Sequence, residues 1–203
     1  MIDFISNSTV EVAKNLLGKK LLIEKDGKMV GGLIVETEAY IGASDMACHT
    51  YNYRKTPKVE SMYLSGGTIY IYAMHGHNML NLVTRDANQP EAVLIRAIEP
   101  TDGTTYMSQR RPVEGVGLTN GPGKLTKAMG ITRILDGEHI TKSSLSIDYI
   151  TSRIPKEIKH SPRIGIPNKG EWTDKLLRFY VAGNPYVTGI RKRETLPINE
   201  TWI

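Results

Sequence analysis

One stretch of the sequence restricts the fold more than any other: the run from Gly32 to Gly42, which reads GLIVETEAYIG. Apolar and polar residues alternate between its two end glycines, and a period of two is typical of a half-buried β-strand. The alternation predicts that one face of this strand carries two carboxylates and a phenol. That face consists of Ile34, Glu36, Glu38 and Tyr40.

This polar face has two interpretations. Same-face neighbours on a strand lie roughly 6 to 7 Å apart, so Glu38 and Tyr40 can line one pocket, with an acid–base group beside an aromatic wall. Alternatively, the stretch is an edge strand at the surface with solvated glutamates, because charged residues are usually exposed. Spacing alone leaves both interpretations open.

The length and composition predict one globular domain. The chain has 203 residues, of which 40% are hydrophobic and 23% are charged, which is enough for one well-formed core. A net charge of +5 permits an anionic partner such as nucleic acid but does not require one. The single Cys48 excludes an intramolecular disulfide framework and a cysteine-rich zinc site. No signal peptide or membrane span is predicted, since no apolar run approaches the roughly 20 residues that a spanning helix needs.

Capping, turn and periodicity patterns predict the main secondary structure elements. The predicted helices are residues 8–18, which begin with a capping box, residues 102–111 before Pro112, and residues 120–130. The predicted strands are residues 20–25 and 28–42, joined by a turn at Asp26-Gly27, and residues 68–74 and 92–100. Residues 131–150 resemble a hairpin with a turn at Asp136-Gly137, and residues 170–181 fit a helix or a strand.

Two segments combine rings with basic groups. Residues 43–58 form a predicted long loop whose tyrosines and cations, Arg54 among them, suit a nucleic-acid backbone or an ordinary solvated loop. Farther along, His75 and His77 invite a metal site, but the spacing does not nominate a third ligand. A nucleophile pair of Cys48 and His49 is disfavoured, because adjacent residues rarely point at each other.

Two further cations are candidates for function. Arg96 lies inside an apolar strand and needs an anionic partner, because an unpaired buried charge is costly. An ion pair with Glu36 or Glu38 is the structural interpretation. Lys124 lies at a predicted helix start whose free amides can bind phosphate, although a Gly-Pro turn is usually only a turn.

Five motifs, in order, resemble the alkyladenine (3-methyladenine) DNA glycosylase family, over roughly residues 8–188. They are VETEAYIG at 35–42 followed by Asp45 and His49, GTIYIY at 67–72, VLIRAIEP at 93–100, GPGKL at 121–125, and GEW at 170–172 with LRFYV at 177–181.

The resemblance implies an α+β fold: a single mixed domain over residues 1–203 with a curved, largely antiparallel β-sheet of open-barrel or roll-like form, flanked by helices. It implies a monofunctional base-excision repair enzyme without metal or cofactor, which acts on double-stranded DNA containing a damaged purine. Such an enzyme flips out alkylated or deaminated purines of the 3-methyladenine, 7-methylguanine and hypoxanthine class and hydrolyses the N-glycosidic bond. A monomer without membrane association is expected, in the bacterial cytoplasm at the nucleoid, or in the nucleus if the source is eukaryotic.

The resemblance also implies roles for individual residues. Glu38 becomes the general base that activates water, and Arg96 contacts the DNA backbone or helps to hold that water. The remaining roles are base-pocket residues Tyr40, His49, Tyr72, Asn81 and Ile164, and DNA-binding residues His75, His77, Lys124 and Arg54. The wedge that fills the DNA gap is His75 or His77, at a position where a tyrosine is more usual. The loop is one residue shorter than the family pattern, so the pocket role of Asn81 requires a deletion.

Three other functions compete with this one. The chain could be a non-catalytic nucleic-acid-binding domain on the same scaffold. Residues 118–125 faintly imitate the hairpin of helix-hairpin-helix glycosylases. A metal-dependent hydrolase would use His75 and His77.

Overall fold

Eight antiparallel strands in one sheet dominate the computed structural model, which describes residues 1–203. The strands are β1 Lys20–Lys25, β2 Lys28–Tyr40, β3 Ile69–Met74, β4 His77–Thr84, β5 Glu91–Asp102, β6 Leu145–Asp148, β7 Ile158–Ser161 and β8 Arg178–Val181. Six of them follow the order β3-β4-β5-β2-β1-β6, and β8 pairs with both β2 and β7. The sheet is curled into a half-barrel, which confirms the predicted fold class.

Strand β2 is central to this sheet. One of its edges pairs with β5 along nearly its whole length, while the other pairs first with β1 and then, from Glu36 to Glu38, with β8. Both glutamates are completely buried. The interpretation of this stretch as a solvated edge strand is therefore wrong.

Two irregularities in the pairing of β2 with β5 set the direction of the polar side chains. The register skips Val35 on β2 and Arg96 on β5, so each strand carries one extra residue where the sheet bends. Such bulges redirect side chains. The predicted polar face holds from Glu36 to Tyr40, but Ile34 lies before the shift and packs in the main apolar core.

Three α-helices cover the sheet: α1 Thr9–Asn15, α2 Thr104–Arg110 and α3 Pro122–Met129. Their ends confirm the predicted caps. Ser8 and Glu11 form a reciprocal capping box at the start of α1, Pro122 begins α3, and Gly130 ends it in the left-handed conformation. The helices and the sheet enclose one main apolar core of 33 buried residues, so the chain forms a single domain.

Two segments differ from their predictions. Residues 131–150 contain a short 3-10 turn and only one strand, β6, which pairs with β1. The hairpin is absent because the Asp136 carboxylate accepts hydrogen bonds from Ile71 N at 2.7 Å and Ser61 Oγ at 2.9 Å, which ties the Asp136-Gly137 turn to β3. Within residues 170–181, only β8 is regular, and it is a strand because β2 and β7 pair with it.

Candidate active site

An aromatic cavity of about 190 Å³ opens beside the end of β2. This volume lies below the roughly 300–1,000 Å³ of sites for drug-sized ligands, so it suits a small flat group. All five residues predicted for a base pocket line this one cavity, although they come from three different strands and two loops. They are Tyr40, His49, Tyr72, Asn81 and Ile164.

His49 and Tyr72 form one wall of the cavity together. Their ring centroids lie 4.6 Å apart at an interplanar angle of 82°, an edge-to-face contact that leaves no room for a base between them. His49 Nδ1 and the Tyr70 hydroxyl are 3.1 Å apart, a hydrogen bond that fixes the imidazole. The two rings therefore meet at nearly a right angle, so a flat ligand in the cavity can stack on the face of only one of them, and Tyr40 is a separate part of the lining.

The rings of this wall are uncharged near neutral pH. Burial, reinforced by the cations Arg54 and Lys58, lowers the pKa of His49. Burial and the charge of Glu38 raise the pKa of Tyr72 to about 12. The wall thus offers neutral aromatic surface, which stacks on a flat heterocycle at little desolvation cost.

Asn81 presents an acceptor in the cavity. Its side-chain amide donates to the carbonyl oxygens of Tyr70 at 3.2 Å and Met79 at 3.1 Å. Because both amide hydrogens are engaged in these bonds, Oδ1 is the group left for a ligand. The shortened loop thus still delivers Asn81 to the pocket.

Glu38 lies directly behind the cavity wall. Its Oε1 accepts a hydrogen bond from Ile164 N at 2.7 Å and forms an ion pair with Arg96, whose Nη1 is 3.2 Å away. Its Oε2 accepts a hydrogen bond from the Tyr40 hydroxyl at 3.0 Å. Tyr40 and Ile164 line the cavity, whereas the carboxylate does not. Burial raises the pKa of Glu38, against the opposing effects of Arg96, the Ile164 amide and the Tyr40 hydroxyl.

Glu36 is held much more tightly than Glu38. Arg96 Nε and Arg178 Nε lie 2.9 Å and 2.7 Å from its Oε1, and Thr188 N donates to Oε2 at 2.8 Å. Arg96 therefore bridges both carboxylates, which confirms the ion pair predicted from the sequence. Its guanidinium is almost wholly buried against the two carboxylates, a position that disfavours contact with the DNA backbone.

A second buried ion pair near the cavity involves residues that sequence reasoning missed as a pair. Arg163 and Asp45 are both inaccessible, and the two Nη atoms lie 2.5 Å and 2.9 Å from the carboxylate oxygens. Asp45 belongs to the motif around His49, whereas Arg163 is the last residue of a basic run over residues 153–163 that contains Arg153, Lys156, Lys159 and His160. Local spacing could not pair them, because 118 positions separate them.

None of the predicted DNA-binding residues lines the cavity itself. His75 and Gly76 form the two-residue turn between β3 and β4, both with positive φ, and His75 is exposed. His77 instead packs against α3: a Cβ added to Gly123 of this helix would lie 2.7 Å from the Cβ of His77. His75 is therefore the freer candidate for a wedge.

The other two predicted DNA-binding cations are exposed. Lys124 Nζ donates to Asn120 Oδ1 at 2.8 Å at the start of α3. Arg54 and Lys58 line a neighbouring cavity of similar volume that shares His49 and Tyr72 with the first. No three His, Cys, Asp or Glu side chains lie close enough together to hold a metal ion, so His75 and His77 lack the third ligand that a metal hydrolase needs.

The fold and site define an α+β protein with a buried carboxylate behind an aromatic cavity, the arrangement of an enzyme that acts on a flat heterocycle. The family model described as Methylpurine-DNA glycosylase (MPG) matches residues 3–185. The chain belongs to this family of DNA repair glycosylases.

Full-length bacterial relatives support this assignment. The chain is 51% identical over 201 residues to a protein of Staphylococcus saprophyticus named "Putative 3-methyladenine DNA glycosylase", with 99% of each chain covered. A protein of the same name from Staphylococcus aureus strain MRSA252 is 50% identical, with 99% of this chain and 100% of the relative covered. Another from Staphylococcus carnosus is also 50% identical, with 99% of this chain and 98% of the relative covered. No helix of this protein has the length and apolar character needed to cross a membrane.

Proposed function

We propose that this protein excises alkylated or deaminated purines from double-stranded DNA by flipping the damaged nucleotide into the aromatic cavity and hydrolysing its N-glycosidic bond. The observation that carries the proposal is the placement of Glu38, whose two cavity-side partners, Tyr40 and Ile164, both line the pocket. A buried carboxylate one layer behind a base-sized cavity is positioned to act on water at the sugar.

Binding would depend on stacking. Extrusion of a nucleotide costs a few kcal/mol, least for damaged pairs, and stacking on aromatic rings returns about 1 to 3 kcal/mol per base. One ring of the perpendicular His49–Tyr72 pair would supply one stacking face and Tyr40 another aromatic contact. The exposed His75 at the hairpin turn is placed to occupy the gap in the duplex, while Arg54 and Lys124 suit phosphates.

The chemistry assigns Glu38 as the base. The glycosidic C–N bond breaks with its electron pair on the departing purine, and the water oxygen bonds to the sugar carbon while its proton passes to Glu38. An alkylated purine is cationic and leaves as a neutral base, whereas hypoxanthine leaves as an anion that takes up a proton from solvent water. Arg96 would hold the carboxylate in its ionised form for this step.

The makeup of the cavity favours a monofunctional glycosylase. Strand cleavage by a glycosylase with lyase activity needs an amine nucleophile to form a Schiff base. The cavity lining contains no lysine. A helix-hairpin-helix enzyme is disfavoured by the antiparallel sheet and the family match. The proposal includes a monomer acting without metal or cofactor, in the bacterial cytoplasm at the nucleoid.

Base release from a defined duplex tests the proposal. The protein is incubated with duplex oligonucleotides carrying one 3-methyladenine, 7-methylguanine or hypoxanthine, and abasic sites are then cleaved with alkali. We expect release of at least one lesion by the wild type, none by Glu38→Gln, and normal release by Glu24→Gln, a control at an exposed glutamate on β1.

Four results would contradict the proposal or one of its parts. Absence of release for all three lesions would leave the competing function, a DNA-binding domain without catalysis. Near-normal turnover by Glu38→Gln would move the base elsewhere, with Glu36 the first residue to test. Strand cleavage without alkali would refute the monofunctional part, and loss of activity with EDTA would refute the metal-free part.

A further inference from the structure

The Arg163–Asp45 ion pair joins two loops that both border the cavity. Asp45 lies in the loop after β2, four residues before His49, and Arg163 lies in the loop after β7. The guanidinium binds both carboxylate oxygens, and neither side chain is accessible. A buried bidentate pair of this kind fixes the orientation of both groups as well as their distance.

Arg163 also contacts the end of β2. Its guanidinium carbon lies 4.6 Å from the centre of the Tyr40 ring, and its Nη1 donates to the carbonyl oxygen of Ala39 at 3.1 Å. Arg163 itself does not line the cavity that Tyr40 lines. It therefore supports the Tyr40 ring from outside the base pocket.

The residue that follows Arg163 completes the connection to the carboxylate. Ile164 N donates to Glu38 Oε1 at 2.7 Å, the shortest hydrogen bond that Glu38 makes. The direction of a backbone N–H is fixed by the backbone conformation, so the hydrogen bond from Ile164 to Glu38 depends on how the loop is anchored. Arg163 is the adjacent anchor.

We propose that Arg163, clamped by Asp45, is a positioning residue for base excision that holds the Tyr40 ring and the Ile164 amide in place around Glu38. This inference deepens the proposed function and rests on it, because it presumes that Glu38 activates water. It assigns the ion pair a task beyond stability, namely the orientation and ionisation of the catalytic carboxylate.

A pH profile separates this task from a purely structural one. The Ile164 amide stabilises the ionised form of Glu38, so a loosened loop raises the pKa of Glu38 further. The acid limb of the excision rate then moves to higher pH. Apart from Arg163, the charged and titratable groups around Glu38 are unchanged in these variants; they are Arg96 from β5, Glu36 and Tyr40 from β2, Tyr72 from β3 and Arg178 from β8.

Two variants and one control make the test. Arg163→Lys keeps the positive charge but cannot bind both oxygens of Asp45 in a planar fork. The double variant Arg163→Met with Asp45→Asn removes both charges and leaves no unpaired buried ion. Arg153→Met is the matched control, an exposed arginine from the same basic run whose side chain makes no hydrogen bond or ion pair.

Single-turnover release of hypoxanthine from a duplex is measured for each variant from mildly acidic to mildly alkaline pH, with folding checked by circular dichroism. We expect the double variant to lose about 10- to 100-fold in rate at neutral pH, as misplaced catalytic groups do. Arg163→Lys should fall between it and the wild type. Both should show an acid limb at higher pH, and Arg153→Met should match the wild type.

The outcomes distinguish the two proposals. Wild-type release with an inactive Glu38→Gln variant supports the proposed function independently. If release is then normal in folded Arg163→Lys and in the double variant, with an unshifted acid limb, the positioning role is refuted and the proposed function stands. If the double variant does not fold, Arg163→Lys decides alone, because it retains the buried charge. No release by the wild type on any tested lesion refutes both.

Discussion

Replacement of Arg96 by methionine would remove the one cation that neutralises Glu38. Arg96 Nη1 lies 3.2 Å from Glu38 Oε1 and its Nε lies 2.9 Å from Glu36 Oε1, with all three side chains buried. Glu36 keeps Arg178, but Glu38 has no other ion pair. Removal of one partner from a buried pair costs about 3–5 kcal/mol of unfolding free energy, because an uncompensated charge stays behind.

That loss is large compared with the total stability of a domain, about 5–15 kcal/mol. For a chain of this size, each kcal/mol lowers the unfolding midpoint by about 2–4 °C. We therefore expect Arg96→Met to unfold about 6–20 °C below the wild type at neutral pH. Methionine is chosen because its unbranched apolar chain fills part of the space that the arginine stem occupied.

The loss of stability in Arg96→Met should depend on pH, because the pKa of Glu38 changes. Burial raises the pKa of Glu38 and Arg96 opposes that rise, so the variant raises the pKa further. A carboxyl group whose pKa is higher in the folded than in the unfolded chain binds its proton more tightly when folded. Its unfavourable contribution is absent below the unfolded pKa and grows as the pH rises towards the folded pKa. The loss of stability should therefore be smaller at acidic than at neutral pH.

Urea titrations of the wild type, Arg96→Met and the exposed control Arg153→Met at neutral and mildly acidic pH measure these quantities. The control should change stability by less than about 0.5 kcal/mol. A loss below about 1 kcal/mol for Arg96→Met would mean that the pair behaves like an exposed one, contrary to its burial. An equal loss at both pH values would show that Glu38 is not the group left uncompensated.

Two further substitutions test packing away from the carboxylates. Gly123→Ala places a Cβ 2.7 Å from the Cβ of His77. The thermal midpoint should therefore fall by the equivalent of about 1–3 kcal/mol of unfolding free energy, despite the better helix propensity of alanine. An unchanged or raised midpoint would contradict the contact between α3 and the β3–β4 hairpin. Trp202→Ala removes a buried ring whose Nε1 donates to Glu99 Oε2 at 3.0 Å and should cost about 3–5 kcal/mol in a urea titration, whereas a neutral result would mean that the C-terminal segment is not docked.

The elements that the sequence predicted well depend on contacts within a few residues. The capping box of α1 needs only Ser8 and Glu11, three positions apart, and the hairpin between β1 and β2 needs only Asp26-Gly27. Strand β8 could not be predicted in the same way. Its residues fit helix or strand, and only pairing with β2 and β7, both distant in sequence, selects the strand.

The site was predictable in its residue types but not in its geometry. Alternation placed Glu38 and Tyr40 on one face, and the family motifs supplied His49 and Tyr72 for the same pocket. Neither could show that both glutamates are buried, because burial follows from β8 and β5 flanking β2. The paired bulges at Val35 and Arg96 were also beyond sequence reasoning, since a register shift leaves no local pattern.

Burial alone does not explain why Glu38 rather than Glu36 is suited to be the base, since both carboxylates are inaccessible. The difference lies in what surrounds them. Glu36 receives two guanidinium groups and one amide, and its partners tie β2 to β5 and β8. Glu38 shares one of those guanidinium groups and otherwise accepts hydrogen bonds from an amide and a phenol. Around Glu38, desolvation outweighs the single guanidinium and raises its pKa above the usual value, which gives this carboxylate a greater affinity for a proton than an exposed glutamate has. Under the proposed function, the number of cations around each carboxylate therefore favours Glu38 over Glu36 as the base on this strand face.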